Sequence, residues 1–250
     1  MPVALVTGAG LRIGRAIAES LAADGWAVAI HCNASCEKAN AVAAGIISRG
    51  GTASVVPADL AELATLASVV EETTSALGPL ELLVNNAATF DPDQLEGLEP
   101  ELWQRQININ LAATLFLSKA FVAALPTERA GNIINIIDQR VWKPVPAYLS
   151  YQISKSALWA ATISLAQALA PRVRVNAIGP GPVLPSKRQS QTDFDKLVAT
   201  LPLQRSATLD EIGAAIRFLV ETPSITGQMI ALDGGQHIAW KTPDASRFPE

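Results

Sequence analysis

Cysteine is nearly absent from this chain: Cys32 and Cys36 are the only two among 250 residues. With His31 beside them a metal site is conceivable, but no second His/Cys pair supplies the remaining ligands of a tetrahedral set. Two ordinary reduced thiols and no metal are therefore expected. Charge is scarce as well, with 17% Asp, Glu, Lys and Arg and a formal net charge of −4. No basic run interrupts it, which excludes the electrostatic footprint of a nucleic-acid binder. No uninterrupted apolar run reaches the roughly 18 residues that cross a bilayer. Strand character begins at Val3, leaving no room for a cleavable leader, so the cytoplasm is the expected compartment. Low-complexity and disordered composition are missing too. What is left is an alanine-rich, 49% hydrophobic sequence whose length suits one large α/β domain with a sizeable core.

Short apolar runs alternate with helical patterns along the chain. Val3-Ala4-Leu5-Val6 reads as a strand, followed by Thr7-Gly8-Ala9-Gly10-Leu11-Arg12-Ile13-Gly14 and then helical spacing over 15–23. Strand, glycine-bearing turn and helix start are the parts of a phosphate cradle. Glycine lets backbone approach a pyrophosphate, and free N–H groups with the helix dipole favour its charge. The second strand, 26–31, ends where the adenine ribose of a dinucleotide lies. There His31-Cys32-Asn33-Ala34-Ser35 offers no carboxylate before Glu37, whereas Arg12, Ser35 and Lys38 can hold an anion. The missing acid and the added cation favour NADPH over NADH.

Beyond a helix over 37–48 and a third strand over 52–57, Asp59-Leu60 reads as a helix cap or as a contact to an adenine edge, and the two roles are compatible. The fourth strand, 80–84, opens into Asn85-Asn86-Ala87-Ala88-Thr89-Phe90, where asparagines can satisfy loop backbone beside a ligand. Phe90 falls past the strand end, near the ligand crevice, where an aromatic can stack on a flat substrate. A helix over 103–125 carries Asn108 and Asn110 among apolar residues, which implies a buried partner or a local disruption. The fifth strand, 133–137, leads to Asp138, and the sixth, 172–178, leads to Gly179-Pro180-Gly181-Pro182. Segment 182–205 is polar, lacks firm periodicity and suits a mobile substrate lid. Thr208-Leu209-Asp210-Glu211 is a capping box that opens a helix to 220, and 226–232 is a seventh strand. This alternation predicts one domain over 1–250, a Rossmann-type doubly wound parallel sheet of about seven strands with helices on both faces.

Tyrosine is as rare as cysteine, with only Tyr148 and Tyr151. Tyr151 and Lys155 are four apart and share one face of a helix. A free phenol titrates near about 10, so a neighbouring cation is expected to draw Tyr151 toward proton exchange at neutral pH. Tyr148 has Gln152, not Lys, four residues on.

Together these motifs resemble the short-chain dehydrogenase/reductase family over nearly the whole chain. They are Thr7-Gly8 through Gly14, Asp59-Leu60, Asn85-Asn86-Ala87, Asn110, Tyr151 to Lys155, Asn176 and Pro180-Gly181. The resemblance implies an NADP(H)-dependent oxidoreductase, commonly a homotetramer or dimer. In it Tyr151 is the proton donor, Lys155 holds the nicotinamide ribose and lowers the Tyr pKa, and Asn110 anchors a water-linked proton relay. Cofactor contacts then fall on Gly8, Arg12, Ile13, Gly14, His31, Asn33, Ser35, Asp59, Leu60, Asn86, Ala87, Tyr151, Lys155, Pro180, Gly181 and Val183. Two departures are informative: Arg12 stands where glycine is usual, and Asp138 replaces a serine that orients the substrate carbonyl. With Phe90 they resemble the pteridine reductase branch. That resemblance implies a pterin-like or dihydrofolate-like substrate, reduced at a C=N bond and held by Arg12, Phe90, Asp138 and Tyr151. A carbonyl reductase of a small ketone or 3-oxoacyl thioester is the alternative within the family. A dinucleotide-binding regulator without catalysis is the alternative outside enzymes.

Overall fold

A computed structural model describes residues 1–240. Seven strands form one sheet: β1 Val3–Val6, β2 Ala27–Cys32, β3 Thr52–Pro57, β4 Leu80–Asn85, β5 Gly131–Ile136, β6 Val173–Pro180 and β7 Met229–Leu232. Their spatial order is β3-β2-β1-β4-β5-β6-β7, and every neighbouring pair is parallel. The crossovers use α1 Arg12–Ala23, α2 Cys36–Ser48, α3 Leu66–Leu77, α4 Pro100–Ile107, α5 Ala113–Ala124, α6 Leu149–Leu169, α7 Gln191–Ala199 and α8 Leu209–Glu221.

Strand side chains alternate between two faces, and each face has its own core. Ala4 and Val6 of β1 join Ile17 and Leu21 of α1, Val42 and Ile46 of α2, and Ile212 and Ile216 of α8. Val3 and Leu5 point the other way, to Val69 and Val70 of α3, Leu117 and Phe121 of α5, and Ala166 of α6. The near-continuous apolar strands are what burial on both faces demands. Strand order reverses between β1 and β4, so the loops after these two strands part and leave a crevice at their C-terminal ends.

Several boundaries differ from expectation for physical reasons. The helix expected over 103–125 is α4 and α5 joined by a π turn at Asn108–Ala112, the disruption that two mid-helix asparagines foreshadow. The continuous run Pro100–Ala124 is long and apolar enough, at a mean hydropathy of 1.5, to cross a membrane. Here, however, α5 buries Ala113, Thr114, Leu117, Ser118 and Phe121 against the domain, as a core helix does. Segment 182–205, read as irregular, contains α7, whose N-cap Ser190 accepts from the Asp193 N–H at 3.1 Å. Phe194, Leu197 and Val198 recur at helical spacing and supply its inner face, and Leu201 is buried just beyond its end.

Asp59 does not cap α3. Its Oδ1 accepts from the Ala61 N–H at 2.9 Å, and a 3-10 turn at Leu63–Thr65 intervenes. The expectation of two reduced thiols is also corrected. The turn after β2 folds the start of α2 back toward the strand end, so that Cys32 and Cys36 are disulfide-bonded with Cα atoms 5.4 Å apart.

Candidate active site

The floor of the crevice is a junction of short side chains with backbone between the glycine-bearing turn and the end of β4. Thr7 Oγ1 accepts from the N–H groups of Asn86 and Ala87 at 2.9 and 3.0 Å. Asn86 Nδ2 donates to the carbonyls of Thr7 and Gly8 at 2.8 and 3.3 Å. A Cβ on Gly14 would lie 2.4 Å from the Gly8 carbonyl oxygen, so no other residue fits there without breaking the junction. Asn85 turns inward instead: its Nδ2 donates to Asn135 Oδ1 at 2.9 Å, and Asn135 Nδ2 donates onward to Thr162 Oγ1.

Arg12, the first residue of α1, has φ +53°, a left-handed conformation that explains why glycine suits this place better. Its guanidinium donates to the Pro185 and Leu184 carbonyls at 2.9 and 3.3 Å, tying the phosphate turn to the segment before α7. From that segment Arg188 reaches across the crevice, where it donates to the Phe90 carbonyl and pairs with Asp91 at 3.6 Å.

The wall opposite is built by the end of β5 and the start of α6. Tyr151 Oη donates to Asp138 Oδ2 at 2.9 Å, while Asp138 Oδ1 accepts from the Arg140 N–H at 2.9 Å. Burial raises the Asp138 pKa, and the Arg140 N–H, the Arg140 charge, the Tyr151 bond and Lys155 oppose the rise. Lys155 is 3% exposed, its Nζ donates to the Ile136 carbonyl at 2.8 Å, and burial lowers its pKa to about 8. The expected lowering of the tyrosine is not what this arrangement produces. Burial, followed by the Asp138 charge and hydrogen bond, holds the Tyr151 phenol well above its ordinary range. A carboxylate in contact outweighs a cation 5.8 Å from the ring centroid.

Asn110 sits in the π turn with 1% exposure. Its Oδ1 accepts from the Thr89 N–H at 2.8 Å, and its Nδ2 donates to the Thr89 carbonyl and to Ser154 Oγ at 3.0 and 3.1 Å. It therefore locks the loop after β4 to α6, one turn from Tyr151. Asn176 is structural in the same way, joining β6 to the Ile225 carbonyl and the Gln228 N–H.

Phe90 packs with both tyrosines. It stacks on Tyr148 at 4.2 Å between centroids and 14° between planes, and meets Tyr151 edge-on at 4.6 Å. One face of the expected stacking platform is thus covered by Tyr148.

A cavity of about 510 Å³ gathers most of the predicted residues: Gly8, Arg12, Ile13, Gly14, Asn86, Ala87, Phe90, Asp138, Tyr151, Lys155, Pro180, Gly181 and Val183 all line it. The others lie elsewhere. His31 is buried, with Nδ1 accepting from the Gly8 N–H and Nε2 facing the Ala58 carbonyl, each at 3.1 Å. Both ring nitrogens are spent on joining β2 to its neighbours, and burial lowers the ring's pKa to about 4. Leu60 is a core residue. Asn33, Ser35 and Asp59 sit on the surface rim beyond β2 and β3, with Asn33 and Asp59 exposed.

Two functional features escape sequence reasoning. Asp93, 7% exposed, accepts from the Ser150 N–H at 3.1 Å and from the Ser150 hydroxyl, and its carbonyl accepts from the Tyr148 N–H. It caps the helix that carries Tyr151 from 57 residues away, a distance at which no local signal operates. The second is the inward pair Phe194 and Leu197, which close the cavity from α7.

The chain matches a family model described as enoyl-(acyl carrier protein) reductase over residues 8–237. It superposes on the crystal structure of FolM alternative dihydrofolate reductase 1 from Brucella canis, complexed with NADP, with a TM-score of 0.95. The two are 51% identical, with 97% of this chain and 96% of that one covered. A 3-oxoacyl-[acyl-carrier-protein] reductase of Synechocystis is 33% identical over 237 residues, 93% of this chain and 96% of the relative. A short-chain type dehydrogenase/reductase of Picea abies is 31% identical over 248 residues, 94% of this chain and 92% of the relative.

Proposed function

This chain belongs to the short-chain dehydrogenase/reductase family, and from that premise we propose that it is an NADPH-dependent reductase of a dihydropterin or dihydrofolate-like substrate. The observation that carries the reading is the 2.9 Å hydrogen bond from Tyr151 to Asp138. An ionised carboxylate there would repel the alkoxide that develops in ketone reduction. A ring nitrogen gaining a proton asks instead for an acid and an acceptor side by side.

The residues fit NADPH. Gly8 and Gly14 leave the backbone floor bare, the start of α1 favours a pyrophosphate, and the rim beyond β2 presents Asn33, Ser35 and Lys38 with no carboxylate before Glu37. When bound, the nicotinamide supplies a hydride to the carbon of the C=N bond. Tyr151 gives its proton to the ring nitrogen. Asp138, which accepts the Tyr151 hydrogen bond in the resting site and whose pKa burial raises, then takes up a proton and passes it to the phenolate through that same contact. Lys155 holds the nicotinamide ribose, and Asn110, by locking the loop after β4 to α6, positions the relay that reloads the pair from water. Phe90, backed by Tyr148, offers the flat substrate an aromatic wall, and 182–205 closes over it through Arg12 and Arg188.

The 3-oxoacyl relatives favour a second reading, reduction of an acyl thioester carbonyl. NADPH consumption separates the two, measured with dihydromonapterin, dihydrobiopterin, dihydrofolate and a 3-oxoacyl thioester, each repeated with NADH. Turnover of a dihydropterin or dihydrofolate with NADPH is expected. Turnover of the thioester alone would leave Tyr151 catalytic and remove the pterin assignment. The same reading makes the enzyme a cytoplasmic homo-oligomer. The exposed Phe116 of α5 and Ile153 and Ile163 of α6 support self-association, which sedimentation measures.

A further inference from the structure

We propose that Arg140 is a substrate-recognition residue that donates a hydrogen bond to a ring carbonyl oxygen of the substrate, beside the Tyr151–Asp138 pair. This rests on the pterin reading. Arg140 lines the same cavity as Tyr151 and Asp138, and its Nη1 is buried without any hydrogen-bond acceptor. Among the described residues it takes part in no ion pair. A buried guanidinium N–H left without an acceptor is costly, and it persists where a ligand supplies the missing oxygen.

The side chain is also held ready. Its backbone N–H is tied to Asp138 Oδ1, and its carbonyl accepts from Gln152 Nε2, each at 2.9 Å. Its guanidinium carbon lies 5.5 Å from the Phe90 ring centroid and 5.6 Å from that of Tyr148, beside the stacked pair. A donor fixed in this way loses little freedom on binding. Arg12, the other cavity arginine, already donates to the Pro185 and Leu184 carbonyls, which leaves Arg140 as the donor to the heterocycle.

Position decides what the acceptor is. Arg140 touches the aromatic pair against which a flat ring would lie, and it is two residues from Asp138. The oxygen must therefore belong to the ring itself and not to a distant tail. A carbonyl suits the place better than a carboxylate, because Asp138 would repel a second anion. Asp138 as acceptor and Arg140 as donor then read the edge of an oxo-pteridine, which carries both ring N–H groups and a carbonyl.

The test measures binding of biopterin to the NADP⁺-loaded protein by calorimetry, for the parent chain, Arg140→Met and Arg140→Lys. A diaminopteridine, in which an amino group replaces the carbonyl, is run in parallel. Arg140→Met is expected to weaken biopterin by about 10- to 100-fold, with Arg140→Lys recovering part of the loss. The diaminopteridine should be little affected, and NADPH affinity should be unchanged. Equal loss for both pteridines would assign Arg140 a packing role and overturn the inference. So would unchanged biopterin binding by Arg140→Met, and that result would leave the proposed function standing. A parent chain that binds neither pteridine removes both readings together.

Discussion

Tyr151 and Asp138 share a hydrogen bond from which Lys155 is excluded. The phenol donates to Oδ2 at 2.9 Å, while the ammonium donates to the Ile136 carbonyl at 2.8 Å. Tyr151 is thus stored as an acid, and the carboxyl beside it decides when the proton can leave.

Tyr151→Phe is therefore expected to abolish turnover while leaving NADPH binding intact. In the parent, the neutral form of Asp138 resupplies the proton, and burial keeps that form present to higher pH than an ordinary carboxyl allows. Turnover should fall as pH rises through this raised value. In Asp138→Asn, which hydrogen-bonds but passes no proton, kcat should be lower and this alkaline fall should vanish. A pH–rate profile that keeps the same limb in the variant would take Asp138 out of the proton path.

Arg12 combines an unfavourable backbone with a useful side chain. Its φ of +53° costs on the order of 1 kcal/mol, which glycine would not incur. Arg12→Gly should leave Tm unchanged or higher, yet free the Leu184–Pro185 segment and remove a cation from the phosphate turn. The guanidinium is spent on the Leu184 and Pro185 carbonyls, so substrate KM is expected to rise more than NADPH KM, with the preference for NADPH over NADH little changed. Initial rates at varied substrate and cofactor concentration decide it.

Asp93 fixes the N-terminal end of α6 through the Ser150 N–H and hydroxyl. Loss of a helix cap costs about 1–2 kcal/mol, or roughly 2–8 °C in Tm for a domain of this size. Asp93→Ala should show that loss on thermal melting. It should also reduce kcat more than NADPH affinity, because the released end of the helix carries Tyr151. Asp93→Asn, which keeps an acceptor, should recover most of the stability.

His31 gives the fold an acid sensitivity of known sign. Burial lowers its pKa from about 6.5 to about 4, so between those values the unfolded chain binds a proton that the folded chain does not. Stability present above pH 6.5 is lost as pH falls toward 4, by about 3 kcal/mol at most from this group. His31→Gln should be less stable at neutral pH. Denaturant titrations from pH 7 to 4.5 should nevertheless show a shallower loss than in the parent.

Much of the fold was legible because each strand is a short apolar run bounded by glycine, proline or a polar turn. The phosphate turn and the Tyr151–Lys155 spacing were legible because both are local patterns. Asp138 needed more: its place is visible in the sequence, but its effect on Tyr151 depends on burial and on a 2.9 Å contact between β5 and α6. Burial first, and then that contact, reversed the expected direction of the tyrosine's pKa. Asp93 was invisible for a related reason, since its partner Ser150 is 57 residues away. His31 was misplaced for a different one. A polar residue at a strand end looks like a ligand, and only the fold shows that its two nitrogens already serve Gly8 and Ala58. The helix within 182–205 did leave a signal, the spacing of Phe194, Leu197, Val198 and Leu201, which the surrounding polar residues masked.

The junction of Thr7, Gly8, Gly14 and Asn86 is made almost wholly of backbone and short side chains, anchored in the middle of the sheet. Phe90, Arg140, Tyr148 and Phe194, by contrast, stand on connections outside the strands. The half of the cavity that would hold a common cofactor is thus built from different elements than the half that would choose the reactant. A randomised library confined to Phe90 and Arg140 can redirect the chain toward new heterocycles while its hydride source is inherited unchanged.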